Sequence, residues 1–416
     1  MNYIKHLNSL KPFCLITTAR GGSDFFQSLL DGHPEICLFN LNFRFLSEYL
    51  AISITWKNQE TNPYDFIDEF IGKNLTRLVS KYNIIEGQDR LGLSKNKSLE
   101  INTEKFKNFF LDILQGQIIN EKNILLALYG SYHMSLNRDL KKTKIIFHHA
   151  HNIHEAIKFK EFFHDTKLII TTRDPRSSFV SSLKFARNDG NIEWDNYRHL
   201  YISLCQTVIE DPSANSFFND HINYEIPFGP IKYKELIKKI DQNPLIIRLE
   251  DIPKKSILVS LVKYFKINYS SNLEASTWGD LEWWGDRLSS KKLEPKGWTE
   301  NRTYNGWSEK LSYFDKILFE ICLYDLMLKY KYISKKSNLF LRLLSIAFIF
   351  LPMRFELRYL DPFRIIKIII IGGLRQKLHA ISFPYYFFKV RIILIFFIMS
   401  QKNKIWSNWP GKLLED

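Results

Sequence analysis

Cys14-Leu15-Ile16-Thr17-Thr18 reads as a short buried strand that runs directly into Ala19-Arg20-Gly21-Gly22-Ser23-Asp24. Phe25, Phe26, Leu29 and Leu30 then repeat at helical spacing until Gly32 and Pro34 stop the helix. A strand that turns through glycines into a helix is the opening of a βαβ unit, and it points to a parallel sheet. The turn also has a chemistry. Unpaired backbone N–H groups at a helix N-terminus bind anions, and glycines let a ligand come close. Arg20 adds a permanent charge beside them. Read alone, the loop is equally a plain turn.

The same alternation returns further along. Residues 42–140 read as mostly helical. Ile145-Ile146-Phe147 is a strand, 152–163 a helix, and Lys167–Thr172 a second buried strand that leads through Arg173-Asp174-Pro175 into another helix. Leu245–Leu249 is a later strand that ends at Glu250-Asp251, and a helix over 254–266 follows. Residues 277–310, with five tryptophans, read as a long irregular loop before a helix over 311–332. The fold class this predicts is α/β, a parallel sheet flanked by helices.

The chain has 416 residues, enough for one large α/β domain plus an appendage. Its net charge of +14 is uneven, because residues 335–416 carry about +10 of it. No nucleic-acid-binding motif or basic recognition helix is present, so nucleic acid is not the expected partner. Cys14, Cys37, Cys205 and Cys322 are scattered without metal spacing and read as free thiols in a reducing compartment. The N-terminus has too short an apolar stretch for a secretory signal. The catalytic part is therefore expected in the cytoplasm.

Arg173 follows its strand directly, and Ser181 lies eight residues later inside the next helix. An arginine at the carboxyl end of a parallel strand faces the ligand crevice of an open sheet. A guanidinium and a hydroxyl together suit a phosphate. The plainer reading has Asp174 capping the helix and Arg173 paired to an acid. A Walker A loop, GxxxxGK followed by Ser or Thr, is absent, which argues against an ATP- or GTP-dependent kinase.

Together the two loops resemble the family of sulfotransferases that use 3′-phosphoadenosine 5′-phosphosulfate (PAPS). There the first loop is typically Lys/Arg-Ser-Gly and two hydroxyl residues, and it binds the 5′-phosphosulfate. Here it is Arg20, Gly21, Gly22, Ser23 and Asp24. The second loop binds the 3′-phosphate. Here it is Arg173-Asp174-Pro175 through Ser181, with the family's spacing. The resemblance covers about residues 12–332, and Trp278 to Asp286 is similar to the C-terminal part of some bacterial members. It implies a P-loop-NTPase-like sulfotransferase fold over residues 1–334 and PAPS as co-substrate, with no metal. Two positions depart from the pattern. Gly21 replaces a serine. Asp24 replaces a hydroxyl and is read as a helix cap that complements the dipole.

The acceptor must lose a proton, and in many family members a histidine after a strand takes it. Phe147-His148-His149-Ala150-His151-Asn152-Ile153-His154 follows a strand here. His149 fits by alignment on the strand and His151 by distance to Arg173, and both stay open. No cysteine or acid completes a zinc spacing with these histidines. His33, in Gly-His-Pro, reads as a helix-end packing residue. The resemblance implies in-line transfer, with Arg20 stabilising the leaving oxygen. The acceptor is expected to be a glycan or glycolipid hydroxyl. The alternatives are a kinase of similar fold and a non-catalytic membrane-surface protein that retains the fold.

Residues 335–416 form a basic, apolar C-terminal tail, expected to be helical. Its apolar runs, 339–351, 365–374 and 392–399, each fall short of the roughly 20 residues a spanning helix needs. Two readings remain. The runs pack on the catalytic core, or they attach the protein peripherally to the inner face of the cytoplasmic membrane.

Overall fold

The computed structural model describes residues 2–17, 21–39, 62–84, 86–150, 153–188, 229–285, 306–334, 346–400 and 411–415. Its centre is a six-stranded sheet: β1 (Lys11–Thr17), β2 (Ile36–Leu38), β3 (Ile145–Ala150), β4 (Lys167–Thr172), β5 (Leu245–Arg248) and, from the far end of the chain, β8 (Lys412–Leu413). The order is β2-β3-β1-β4-β5-β8, and every pair is parallel. Parallel neighbours need crossovers, and those crossovers cover both faces, so the strands are apolar nearly throughout rather than alternating. β2 and β3 are buried at every residue, and β4 at all but its first.

The helices are α1 (Tyr3–Ser9), α2 (Ser23–Leu30), α3 (Pro63–Leu78), α4 (Thr103–Leu114), α5 (Glu121–Ser135), α6 (Ile153–Phe162), α7 (Pro175–Asn188), α8 (Gly229–Ile240), α9 (Lys255–Phe265) and α10 (Tyr313–Lys329). Side chains cap several of these helices at the N-terminus. Asn62, Asn102 and Asn120 cap α3, α4 and α5 through their side chains. Ser312 and Asp315 close a capping box on α10.

The start of the tryptophan-rich stretch departs from the expectation of an irregular loop over 277–310, of which 286–305 lie outside the described residues. Thr277–Trp278 and Leu281–Glu282 pair as a two-stranded hairpin, β6 and β7. Gly279 and Asp280, at φ of 57° and 65°, supply its turn. Two positive φ values in succession make the hairpin turn whose twist matches the strands.

The described residues beyond 345 share the fold of the sheet, and they add a strand that the sequence did not suggest. β8 extends the sheet beyond β5, with Leu245 level with Lys412 and Ile246 with Leu413. Three more helices, α11 (Arg354–Leu360), α12 (Pro362–Ile371) and α13 (Leu374–Ser400), precede it. Met353, Phe355, Tyr359, Phe383, Phe387 and Leu394 join the same apolar core as the sheet. The Phe355 ring lies 5.8 Å from Phe179 of α7. Of the two readings of the tail, packing on the core is therefore realised for these residues.

Arg391 and Glu356 form an ion pair in which both side chains are fully buried. Met353 N–H also donates to Glu356 at 2.6 Å, and the Arg391 guanidinium lies 4.4 Å from the Phe387 ring centre. Removing one member of such a pair leaves a buried charge without its counter-ion. Arg391→Ala should cost roughly 3–5 kcal/mol in urea unfolding, whereas the paired change Arg391→Met with Glu356→Leu should recover most of it. A single variant as stable as wild type would mean that the pair holds nothing together.

Candidate functional site at the carboxyl edge of the sheet

The strand ends are level where the motifs fall. Ile16 pairs with Ala150, Thr17 with Thr171, and Thr172 with Arg248. β1 lies between β3 and β4, so the chain leaves it toward β2 on one side and later crosses it to reach β4 on the other. A reversal of this kind opens a crevice at the carboxyl ends of the strands, where open α/β sheets bind ligands.

Gly21, Gly22 and Ser23 lead into α2. Gly22 is the N-cap at φ 82°, a left-handed conformation that L side chains rarely adopt. A Cβ there would lie 2.5 Å from Leu249 Cδ1, so the glycine also lets the loop close onto the exit of β5. Phe26 N–H bonds the Gly22 carbonyl at 3.0 Å, and the N–H groups before it have no intrahelical acceptor. Ser23 is buried at the first helical position. Asp24 sits in the first turn and complements the dipole, but the cap is Gly22, with no side-chain bond. The Asp24 carboxylate is instead 3.9 Å from His149 Nδ1. Arg20, the basic residue of this loop, lies outside the described residues.

The histidines separate by strand alternation. β3 runs on through Ala150, past the end expected from sequence, so His148 and His149 face opposite sides of the sheet. His148 is structural. It stacks on Phe159 at 4.7 Å and shares a 2.7 Å hydrogen bond with the Tyr129 hydroxyl. His149 faces α2. Gln27 Nε2 donates to the Phe39 carbonyl at 3.0 Å, which leaves Gln27 Oε1 to accept from His149 Nδ1 at 2.7 Å. Nδ1 therefore carries the proton, and the lone pair is on Nε2. Burial, then the neighbouring His148, lowers the His149 pKa to about 3, so the ring is neutral at pH 7. His151 lies outside the described residues. His33 is a helix-end residue, its Nε2 bonded to the Asn268 carbonyl at 3.0 Å.

At the end of β4, Asp174 accepts from Arg176 N–H at 2.9 Å and from the Arg176 guanidinium at 2.7 Å. Its carbonyl receives Ser178 N–H at 3.0 Å and opens α7. Asp174 is thus the helix cap of the plainer reading. Arg173 is half-buried beside Glu250, and Ser181 is half-buried on α7. Glu250 Oε1 accepts from Asp174 N–H at 3.0 Å. Burial pushes the Glu250 carboxyl up to about 7, against the pull of that N–H and of the Arg173 charge. The structure therefore places Gly22, Ser23 and Asp24 at the start of α2, His149 near the end of β3 and Arg173 at the exit of β4, all toward the carboxyl ends of the strands, with Ser181 in the second turn of α7, and it adds Gln27 and Glu250.

Sequence reading missed both additions. Gln27 had a signal: it lies between the apolar pairs Phe25-Phe26 and Leu29-Leu30 of one short helix, and a buried amide needs partners. Glu250 had none, since a Leu-Glu-Asp turn shows nothing of Arg173. Among the described residues, no group of three or more His, Cys, Asp or Glu side chains is arranged to hold a metal ion. Cys14, Cys37 and Cys322 are buried free thiols, and Cys205 lies outside the described residues.

No protein-family model and no curated protein matches the chain. Among solved structures, it is similar to the sulfotransferase domain from the curacin biosynthetic pathway. The identity is 15%, over 79% of this chain and 93% of that one, with a TM-score of 0.29. A TM-score that low carries no weight for fold or chemistry.

Glu250 ties stability to pH. Its folded pKa is raised from 4.5 to about 7. Its contribution is therefore fully present below pH 4.5 and is lost as pH rises to 7. Glu250→Gln keeps the acceptor for Asp174 and cannot ionise. Across that interval wild type should lose on the order of 2 kcal/mol relative to the variant, read by urea unfolding at several pH values. Parallel stability curves for the two proteins would contradict the buried, half-ionised carboxyl.

Proposed function

We propose that the chain is a sulfotransferase that moves a sulfuryl group from PAPS to a hydroxyl acceptor, a glycan or glycolipid. One observation carries the reading. The helix that starts at the Gly21-Gly22-Ser23 turn also supplies Gln27, which accepts from His149 Nδ1 and so fixes the tautomer of that buried, neutral ring with its lone pair on Nε2. The anion cradle and the side chain that orients the proton acceptor on β3 are thereby mounted on one helix, and Arg173 stands at the exit of β4. The motif resemblance and the parallel sheet order support the same reading.

In this mechanism the N-terminus of α2, Gly21, Gly22, Ser23 and Arg20 would hold the 5′-phosphosulfate, and Arg173 with Ser181 the 3′-phosphate. The acceptor oxygen attacks sulfur as the bond to the bridging oxygen breaks. The acceptor proton passes to His149 Nε2 or to His151, and 3′-phosphoadenosine 5′-phosphate leaves with the electron pair. Arg20 would stabilise charge on the departing oxygen, and most of the barrier reduction comes from positioning and charge. Asp24, 3.9 Å from the ring, would offset the burial that disfavours a cationic His149. The reaction as written calls for no metal.

A second reading rests on a specific observation. Carboxylates stand at both anion positions, Asp24 at the first loop and Glu250 beside Arg173. A non-catalytic protein that retained the fold would tolerate both. Donor binding measured by calorimetry separates the two readings.

Three predictions test the enzyme. Wild type should prefer PAPS over adenosine 5′-phosphosulfate, which lacks the 3′-phosphate, and Arg173→Ala should erase most of that preference. Arg20→Ala should lower turnover more than about tenfold, at least 1.4 kcal/mol in the barrier. Equal use of both donors by wild type removes Arg173 from the site, and normal turnover in the Arg20 variant removes Arg20 from the mechanism. For the base, Gln is placed separately at His149 and His151. One variant should keep PAPS affinity and lose kcat by about 100-fold or more, the usual worth of a general base. Full activity in both would put the base elsewhere.

A further inference from the structure

Helix α13 is apolar on two opposite sides. Ala380, Phe383, Phe387, Val390 and Leu394 pack into the core. Leu374, Leu378, Ile381, Tyr385, Phe388 and Ile392 follow one another at alternating spacings of four and three residues, and they are 49–76% exposed. At about 100° per residue the two sets lie roughly half a turn apart on the helix. An outward stripe of this length is not the scatter of single apolar residues found on ordinary surfaces. The preceding helix, α12, has no buried residue at all, and its Phe363 is 83% exposed.

The charges around the stripe indicate what covers it. Lys377 and Lys389 stand roughly 60° to either side of its centre at the same 100° per residue, where long side chains reach from an apolar surface to its polar border. Lys389 Nζ lies 5.6 Å from the Tyr385 ring centre. Arg364 and Lys367 lie on α12. Among the described residues from 346 to 400 there are two carboxylates. Glu356 is buried against Arg391, and Asp361 caps α12. The surface is thus apolar with a cationic border and a single exposed acid. A second copy of the chain would set these lysines against their own kind. An anionic surface with an apolar interior complements them. Among the described residues no helix is long and apolar enough to cross a membrane. α13 has 27 residues but contains Lys377, Pro384, Lys389 and Arg391.

We propose that α12 and α13 form a monotopic docking surface for an anionic lipid bilayer. The Leu374–Ile392 stripe lies among the acyl chains, and Lys377 and Lys389 lie at the headgroups. The surface is independent of the sulfuryl-transfer reading, and its test needs no donor or acceptor.

Purified full-length protein is floated with vesicles of phosphatidylcholine alone, or of phosphatidylcholine mixed with phosphatidylglycerol, at low and high salt. Wild type should float with the mixed vesicles at low salt and much less with the neutral ones. Two cationic contacts of about 1 kcal/mol each imply that Lys377→Glu with Lys389→Glu weakens partition at least about thirtyfold. Ile381→Ser with Phe388→Ser should abolish flotation without moving the unfolding midpoint, since both side chains face outward. If that pair fails to fold, the lysine pair and the lipid comparison still decide. Three outcomes overturn the proposal. Wild type could stay out of the mixed vesicles at low salt. It could bind neutral and anionic vesicles equally, with the lysine pair without effect. It could form a dimer by light scattering that the Ile381/Phe388 pair dissolves, which would make the occupant a second copy.

Discussion

Two arginines at adjacent strand ends hold the end of α10 across the sheet. Arg176, just past β4, donates to Asp174 at 2.7 Å and to the Tyr332 carbonyl at 3.2 Å, and its guanidinium lies 3.9 Å from the Trp307 ring centre. Arg248, the last residue of β5, pairs with Asp251 and donates to the Tyr330 carbonyl at 2.9 Å. A buried guanidinium is costly unless its donors find acceptors in its own plane. These two find them on both sides of one crossing point. The exit of β4, the exit of β5 and the segment Tyr330–Tyr332 are therefore fixed relative to one another. Arg173 and Glu250 sit on the two loops so fixed.

On the other side of the crevice, α2 is held at both ends. Asp31, fully buried at its C-cap, pairs with Arg138 at 2.8 Å and accepts from Thr277 and from Asp280 N–H. Arg138 also reaches Asp280 in the β6–β7 hairpin at 2.8 Å. At the N-terminal end, Gly22 closes on Leu249. A helix clamped at both ends cannot tilt, so the anion cradle and the Gln27–His149 bond keep their separation. Functional groups on a rigid element need less ordering when a ligand arrives. This is where Asp24 is least expensive. Its charge meets the helix dipole and stands near an imidazole that would gain a proton.

The sequence made the sheet legible because a parallel sheet buried on both faces writes itself as short continuous apolar runs. β1, β3, β4 and β5 follow from those runs, and the loop motifs mark their carboxyl ends. Strand length was less legible. His148 and His149 are polar, and nothing local shows that Tyr129, Phe159 and Gln27 give their ring nitrogens and faces a place inside. Long-range partners were invisible for the same reason. The Arg138–Asp31–Asp280 group spans three distant segments, and the β8–β5 pairing joins residues some 165 positions apart. Lys412-Leu413 is too short a strand to carry a pattern, and it forms because the exposed edge of β5 offers unpaired backbone groups. Arg20 and His151, two residues of the proposed mechanism, stand outside the described residues and rest on sequence alone.

Of the two roles that the sequence kept as alternatives for the tail, packing on the core is seen, and attachment to a bilayer is the proposal for its outer side. Its inner side is core: Phe383, Phe387 and Leu394 pack inward, and β8 closes the sheet beside β5. Its outer side is the Leu374–Ile392 stripe. A helix that is apolar on both sides needs two apolar surroundings, and the fold supplies one of them. β8 pairs with the first two residues of β5, the strand that ends at Arg248, so the chain beyond α13 is part of the same sheet as the crevice. Seating the stripe on a bilayer would then orient the crevice as well as tether it, since the core contacts of α13 leave the helix no independent swing. On the proposed docking, an acceptor whose hydroxyl stands in the headgroup layer shares one surface with the enzyme, which is the reason to test glycolipids before soluble alcohols.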